Sequence, residues 1–119
     1  SLIPPATLPP GFEATAEEAL DFAGTQVKRL ITSRPGAFPI YTVGGRWHVE
    51  EAAWTSWTEG FLGGLIWITA RRTGDAWWRE QAERYSLLIE PRKDDRTVHD
   101  LGFLFMITRV QNIVLDACA

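Results

Sequence analysis

Thr58-Glu59-Gly60-Phe61-Leu62-Gly63-Gly64-Leu65-Ile66-Trp67-Ile68-Thr69-Ala70-Arg71-Arg72-Thr73-Gly74-Asp75-Ala76-Trp77-Trp78 decides the fold class. Phe61, Leu62, Leu65, Ile66 and Ile68 supply the apolar side of a helix that starts near Thr58 and runs to Arg72. Arg71 and Arg72 complement the negative end of its dipole, and Gly74 supplies the left-handed residue that closes it. Asp75 then caps a second helix, Ala76 to about Glu90, with a stripe of Trp77, Trp78, Gln81, Ala82, Tyr85, Leu88 and Ile89 and with Pro91 just beyond. A connection this short forces the two helices into an antiparallel hairpin. Gly60, Gly63 and Gly64 each cost roughly 1 kcal/mol of helix propensity relative to alanine. Close approach must recover that cost, through tight helix–helix packing or through a narrow ligand cleft.

Working outward, the upstream pattern predicts another helix. Thr15-Ala16-Glu17-Glu18 has the form of a capping box, and Ala19, Phe22, Ala23, Gln26, Val27, Leu30 and Ile31 follow at helical spacing until Ser33-Arg34-Pro35-Gly36 stops them. Residues 1–14 hold Pro4, Pro5, Pro9, Pro10 and Gly11 and read as an extended arm. Phe38 to Trp47 reads as an extended segment with a Gly44-Gly45 turn, long enough for a hairpin and too short for a sheet. Downstream, Arg92-Lys93-Asp94-Asp95-Arg96 reads as a solvated polar loop. A further helix follows from about Asp100 or Leu101 to Asp116, apolar nearly all round in its first half and so enclosed on several sides. The expected architecture is all-α: one domain of successive antiparallel helices over residues 1–119.

The composition is that of an ordinary globular chain. Its 119 residues are 45% hydrophobic and 23% charged, with a net charge of −3. Basic and acidic residues are interspersed, so no concentrated basic face exists for nucleic acid. No apolar run is long enough to span a membrane, and the first residues lack the pattern of a signal peptide, so a cytoplasmic location is the expectation. The single cysteine, Cys118, excludes an internal disulfide and cannot alone hold a metal. No phosphate loop, metal-ligand cluster or Ser-His-Asp set is present, and no cofactor is implied. The six tryptophans are the compositional oddity: indole faces fill cores, and they also stack on sugar rings.

Val98-His99-Asp100-Leu101-Gly102-Phe103 places a carboxylate at the mouth of the last helix. Asp100 can cap that helix, or it can face a cavity and do chemistry. With Trp57-Thr58-Glu59-Gly60-Phe61 to Trp67 and with Thr73-Gly74-Asp75, this run forms an ordered set that resembles glycoside hydrolase family 88, the unsaturated glucuronyl hydrolases. In that family a Trp-x-x-Gly-Phe-x-x-Gly-x-x-Trp helix ends at a Thr-Gly-Asp turn. A second helix follows, and then a His-Asp-Leu-Gly-Phe motif carries a catalytic aspartate. The resemblance runs from about Phe38 to the end of the chain.

The resemblance implies helical hairpins forming part of an (α/α)6 toroid, and it implies that this chain is the N-terminal portion of a longer enzyme. It implies an unsaturated uronic-acid oligosaccharide as substrate. A proton goes to C4 of the Δ4,5 double bond, water adds at C5, and the resulting hemiketal collapses to release the sugar. Asp100 matches the aspartate that orients water and stabilises the developing positive charge. The family's principal proton donor, a second aspartate, has no counterpart here, so this chain is expected to be catalytically incomplete. Trp57, and less directly Trp54, match a tryptophan that lines the sugar pocket; core packing is the alternative for both. His99 either hydrogen-bonds the uronate or shapes the start of the helix, while Arg46 and Arg96 could neutralise a substrate carboxylate. His48 has no constellation around it. Two other readings stand beside this one: another (α/α)6 enzyme, such as an unsaturated rhamnogalacturonyl hydrolase or a sugar epimerase, and a non-catalytic helical interaction domain. Self-association through exposed helix flanks is the expectation for a partial ring.

Overall fold

Pro9, Pro10 and Gly11 do not hold the chain extended; they turn it into its first helix. The computed structural model describes residues 7–49, 58–97, 101–103 and 105–107. Helix α1 spans Phe12–Ser33, and Gly11 stands before it with φ 80°, a left-handed conformation that suits glycine. The Phe12 amide donates to the Pro9 carbonyl at 3.1 Å, so the turn already aims the backbone into the helix. This corrects two expectations. The helix begins before Thr15, taking residues 12–14 out of the arm, and Thr15 forms no capping box. Its hydroxyl instead donates back to the Gly11 carbonyl at 3.2 Å.

The glycine turn between β1 (Tyr41–Val43) and β2 (Arg46–His48) makes a two-stranded antiparallel ribbon, with Gly44 and Gly45 both at positive φ. His48 stacks on Tyr41 across it, with ring centroids 4.7 Å apart. The ribbon is tied to the helices by Arg34, which donates to the Trp47 carbonyl at 3.3 Å.

Helices α2 (Glu59–Thr73) and α3 (Ala76–Ile89) form the expected hairpin. Gly74 takes φ 66° and its amide donates to the Ala70 carbonyl at 2.9 Å. The Asp75 side chain accepts from the Trp77 amide at 2.8 Å. Inside the hairpin Trp67, 1% exposed, donates its indole N–H to the Ser86 hydroxyl at 2.9 Å, and that hydroxyl donates to the Ala82 carbonyl at 2.7 Å. The buried indole is therefore satisfied rather than stranded.

Contacts between helices set their directions. Arg72 pairs with Asp21 at 2.8 Å and with Glu17, and a β-carbon on Gly24 would touch Thr69, so α1 and α2 run antiparallel. Lys28 lies over the Trp77 ring at 4.9 Å, and beyond the end of α1 the Gly36 amide donates to the Tyr85 hydroxyl at 3.0 Å. Thus α1 and α3 run parallel. Residues 101–103 and 105–107 are helical. Phe103 stacks on Phe61 at 6.4 Å, and a β-carbon on Gly64 would run into Ile107, so this last stretch runs parallel to α2.

The result is an alternation of directions: α1 and α3 point one way, α2 and the last stretch point the other. The fold is all-α, made of antiparallel helical hairpins, and this alternation is consistent with part of an (α/α)6 wall. One core joins the helices, from Val27, Leu30 and Ile31 through Leu62, Ile66, Trp67 and Ala70 to Trp78, Ala82 and Tyr85. Gly64 answers one earlier alternative, because its missing side chain admits Ile107: helix–helix packing, not a cleft, uses this glycine. Among the described residues no helix is long and apolar enough to cross a membrane.

Candidate functional site

Parallel running of α2 and the last helical stretch brings both of their N-terminal ends to one end of the molecule, where α3 also finishes. Trp54, Trp57, His99 and Asp100, the four residues singled out in the sequence, lie outside the described residues. Their described neighbours do not. Thr58 precedes α2 directly, and half-buried Leu101 is the first described residue of the last helical stretch.

An apolar groove of about 610 Å³ opens at this end. Its walls come from α1 (Phe22, Gln26, Leu30), the ribbon (Trp47) and α2 (Phe61, Leu65). The sequence assigned Phe22 to the buried stripe of α1 and Phe61 and Leu65 to the buried side of α2. Instead Phe22 is 67% exposed and Phe61 42% exposed, because they face this groove rather than the core. Their spacing is helical all the same; periodicity finds an apolar face without saying what covers it.

The charged residues of this end were read less well. Arg92 is not part of a solvated loop: Glu90–Asp94 form a short 3-10 helix, and Arg92 reaches inward to Glu59, with Nη2 3.5 Å from Oε1. Glu59 is only 6% exposed, and its Oε2 has no hydrogen-bond partner among the described residues. Burial pushes its carboxyl above the ordinary value of 4.5, and the Arg92 guanidinium opposes that rise. In the sequence Glu59 looks like a first-turn acid placed to suit the helix dipole, and nothing local marks its partner. The other arginines with suggested roles, Arg46 and Arg96, are exposed, and His48 is engaged with Tyr41. Just before the undescribed residues 98–100, Asp95 accepts from the Thr97 amide at 2.9 Å and from its hydroxyl at 2.6 Å, fixing a tight turn.

No family model matches the chain, and no solved structure matches it. Two curated proteins do. An unsaturated glucuronyl hydrolase of Formosa agariphila is 36% identical over 55 residues, covering 46% of this chain and 14% of that protein. An unsaturated glucuronyl hydrolase of a Bacillus species is 37% identical over 57 residues, covering 45% of this chain and 15% of that protein. The matched stretch therefore spans about one seventh of the length of these relatives. Over somewhat under half of its own length, this helical chain is related in sequence to the unsaturated glucuronyl hydrolases.

Proposed function

We propose that the chain forms part of an enzyme of the glycoside hydrolase family 88 type, acting on oligosaccharides that end in a Δ4,5-unsaturated uronic acid. Asp100 orients the water that adds at C5 and stabilises the positive charge that develops there once C4 is protonated. Addition gives a hemiketal at C5, whose collapse releases the remaining sugar; one water is consumed. Trp57 and Trp54 wall the sugar through their apolar ring faces, and His99 hydrogen-bonds the uronate or sets the start of its helix. The proton donor to C4 is contributed from outside this chain. The observation that carries the reading is the parallel register of α2 and the last helical stretch. Thr58, next to Trp57 in sequence, precedes α2, and Leu101, next to Asp100, is the first described residue of the adjoining parallel helical stretch. The two relatives named above support it from the sequence side.

The test follows loss of the ultraviolet absorbance of the conjugated uronate, using an unsaturated chondroitin disaccharide and the natural protein that carries this sequence. Asp100→Asn should lower turnover by about 100-fold or more with little change in thermal unfolding. Unchanged turnover removes Asp100 from the mechanism. The 119-residue chain alone should show no turnover, and measurable hydrolysis by it would refute the division of labour proposed here.

The apolar groove favours a second reading, in which this face associates with a second copy of the chain. Phe22, Trp47, Phe61 and Leu65 form its walls and all are exposed.

A further inference from the structure

The core that joins the helices includes no residue of β1 or β2, and strands of three residues are too short to be stable unaided. The shape of the ribbon is fixed all the same. Gly44 and Gly45 set its turn, Tyr41 and His48 stack across it, and Arg34 holds the Trp47 carbonyl. The Ile40 amide adds a hydrogen bond to the His48 carbonyl at 3.0 Å. Pleating then sorts the side chains onto two faces. Thr42 and Trp47 stand opposite each other, and Trp47 is turned to the apolar groove. Tyr41, His48, Val43 and Arg46 therefore share the other face. There Tyr41 is 49% exposed, Val43 is 62% exposed, and Arg46 is exposed as well.

Charge on this part of the molecule is one-sided. Residues 34–49 contain Arg34, Arg46 and His48 and no aspartate or glutamate, in a chain whose net charge is −3. Glu50 and Glu51, next in sequence, lie outside the described residues. Among the described residues neither Arg34 nor Arg46 is in an ion pair, so both keep guanidinium N–H groups to offer an anion. Two arginines are too few for a nucleic-acid backbone, which needs a broad basic face. A ring stack beside one free guanidinium matches a smaller ligand, a sugar ring that carries a carboxylate. Trp47 and Thr58 wall the same groove, which puts the ribbon at the end of the molecule where α2 begins.

We infer that the outer face of the ribbon is a binding surface for an acidic oligosaccharide, with Arg46 on a sugar carboxylate and the Tyr41 ring against the apolar side of a sugar. The inference deepens, and rests on, the sugar reading given above: the sugars held here are those beyond the unsaturated end residue. The ribbon takes no part in the bond chemistry. It holds the length of the chain being shortened.

The test uses the natural protein carrying this sequence and a saturated chondroitin hexasaccharide, which has no double bond to hydrate, so binding is read apart from turnover. In a calorimetric titration Arg46→Ala should weaken binding by about fivefold and Tyr41→Ala by a similar factor, while Arg46→Lys should keep most of the affinity. Added salt should weaken the wild type more than Arg46→Ala. A neutral glucose hexasaccharide should bind far more weakly than the acidic one. Should Tyr41→Ala disorder the ribbon, Arg46→Ala, a change at an exposed side chain, still decides. Equal affinity of wild type and Arg46→Ala overturns the inference, as does equal binding of the neutral sugar. Turnover supplies a second readout: Arg46→Ala should lower kcat/KM more for an unsaturated hexasaccharide than for the unsaturated disaccharide, and an equal loss at both lengths overturns the assignment of the ribbon to the distal sugars. If the wild type hydrolyses neither substrate, the enzymatic reading fails and the titration alone decides whether the ribbon binds acidic sugars. If it hydrolyses both and Arg46→Ala leaves binding and kcat/KM intact, the ribbon inference fails and the enzymatic reading survives.

Discussion

Gly64 is the position where adding one carbon has the most predictable effect. In an exposed helix Gly→Ala gains about 1 kcal/mol of propensity. Here the new methyl would collide with the Ile107 side chain, and overpacking of this kind costs about 1–3 kcal/mol. The collision wins, so Gly64→Ala should lower stability in denaturant unfolding, whereas Gly64→Ala combined with Ile107→Ala should recover part of the loss. Glu59 offers a second residue-scale measurement. Its folded-state pKa lies above 4.5, so the folded protein holds this proton more tightly than the unfolded chain does. The associated stability is fully present below 4.5 and is lost as pH rises through the raised value. Unfolding free energies measured from pH 4 to 8 should therefore show the wild type losing ground to Glu59→Gln as pH increases, with a plateau above the raised pKa. A flat difference would mean that Glu59 titrates normally.

At the scale of elements, the α2–α3 hairpin owes its shape to signals that sit side by side in the chain. Thr73-Gly74-Asp75 contains a left-handed terminator and a capping carboxylate with no residue between them, and both act as expected. Asp75→Ala should cost about 1 kcal/mol, and Trp67→Ala about 3–5 kcal/mol with loss of the Ser86 hydrogen bond, both measurable by chemical denaturation. Signals of this local kind are what made the hairpin legible. The start of α1 was misread because two competing local signals overlap: Thr15 and Glu18 form a plausible cap, but the turn at Pro9 to Phe12 starts the helix sooner. The Arg92 link was illegible for a different reason. Its partner lies at the start of another helix, and no spacing rule along the chain connects them. For the candidate site, the motif order was readable, while the buried state of Glu59 depends on packing that only tertiary structure reveals.

For the whole molecule, the consequential feature is the apolar groove left between α1, the ribbon and α2. If it mates with a second copy, sedimentation should show mass rising with concentration, and Phe22→Glu should abolish that rise without disturbing the fold, since Phe22 is outside the core. Mass independent of concentration would remove the second reading. The sequence separation of its contacts also has a bearing on how the molecule assembles. Trp67 finds Ser86 after a short span of chain, whereas Gly36 must wait for Tyr85, which is far downstream. Loop closure favours the shorter search, so the central hairpin can form early and serve as a template on which the N-terminal helix and the aromatic ribbon later settle. An order of this kind makes the earliest-formed pair the seed of the fold and leaves its flanks exposed longest, a window in which chaperones or misassembly would compete for the same greasy surfaces.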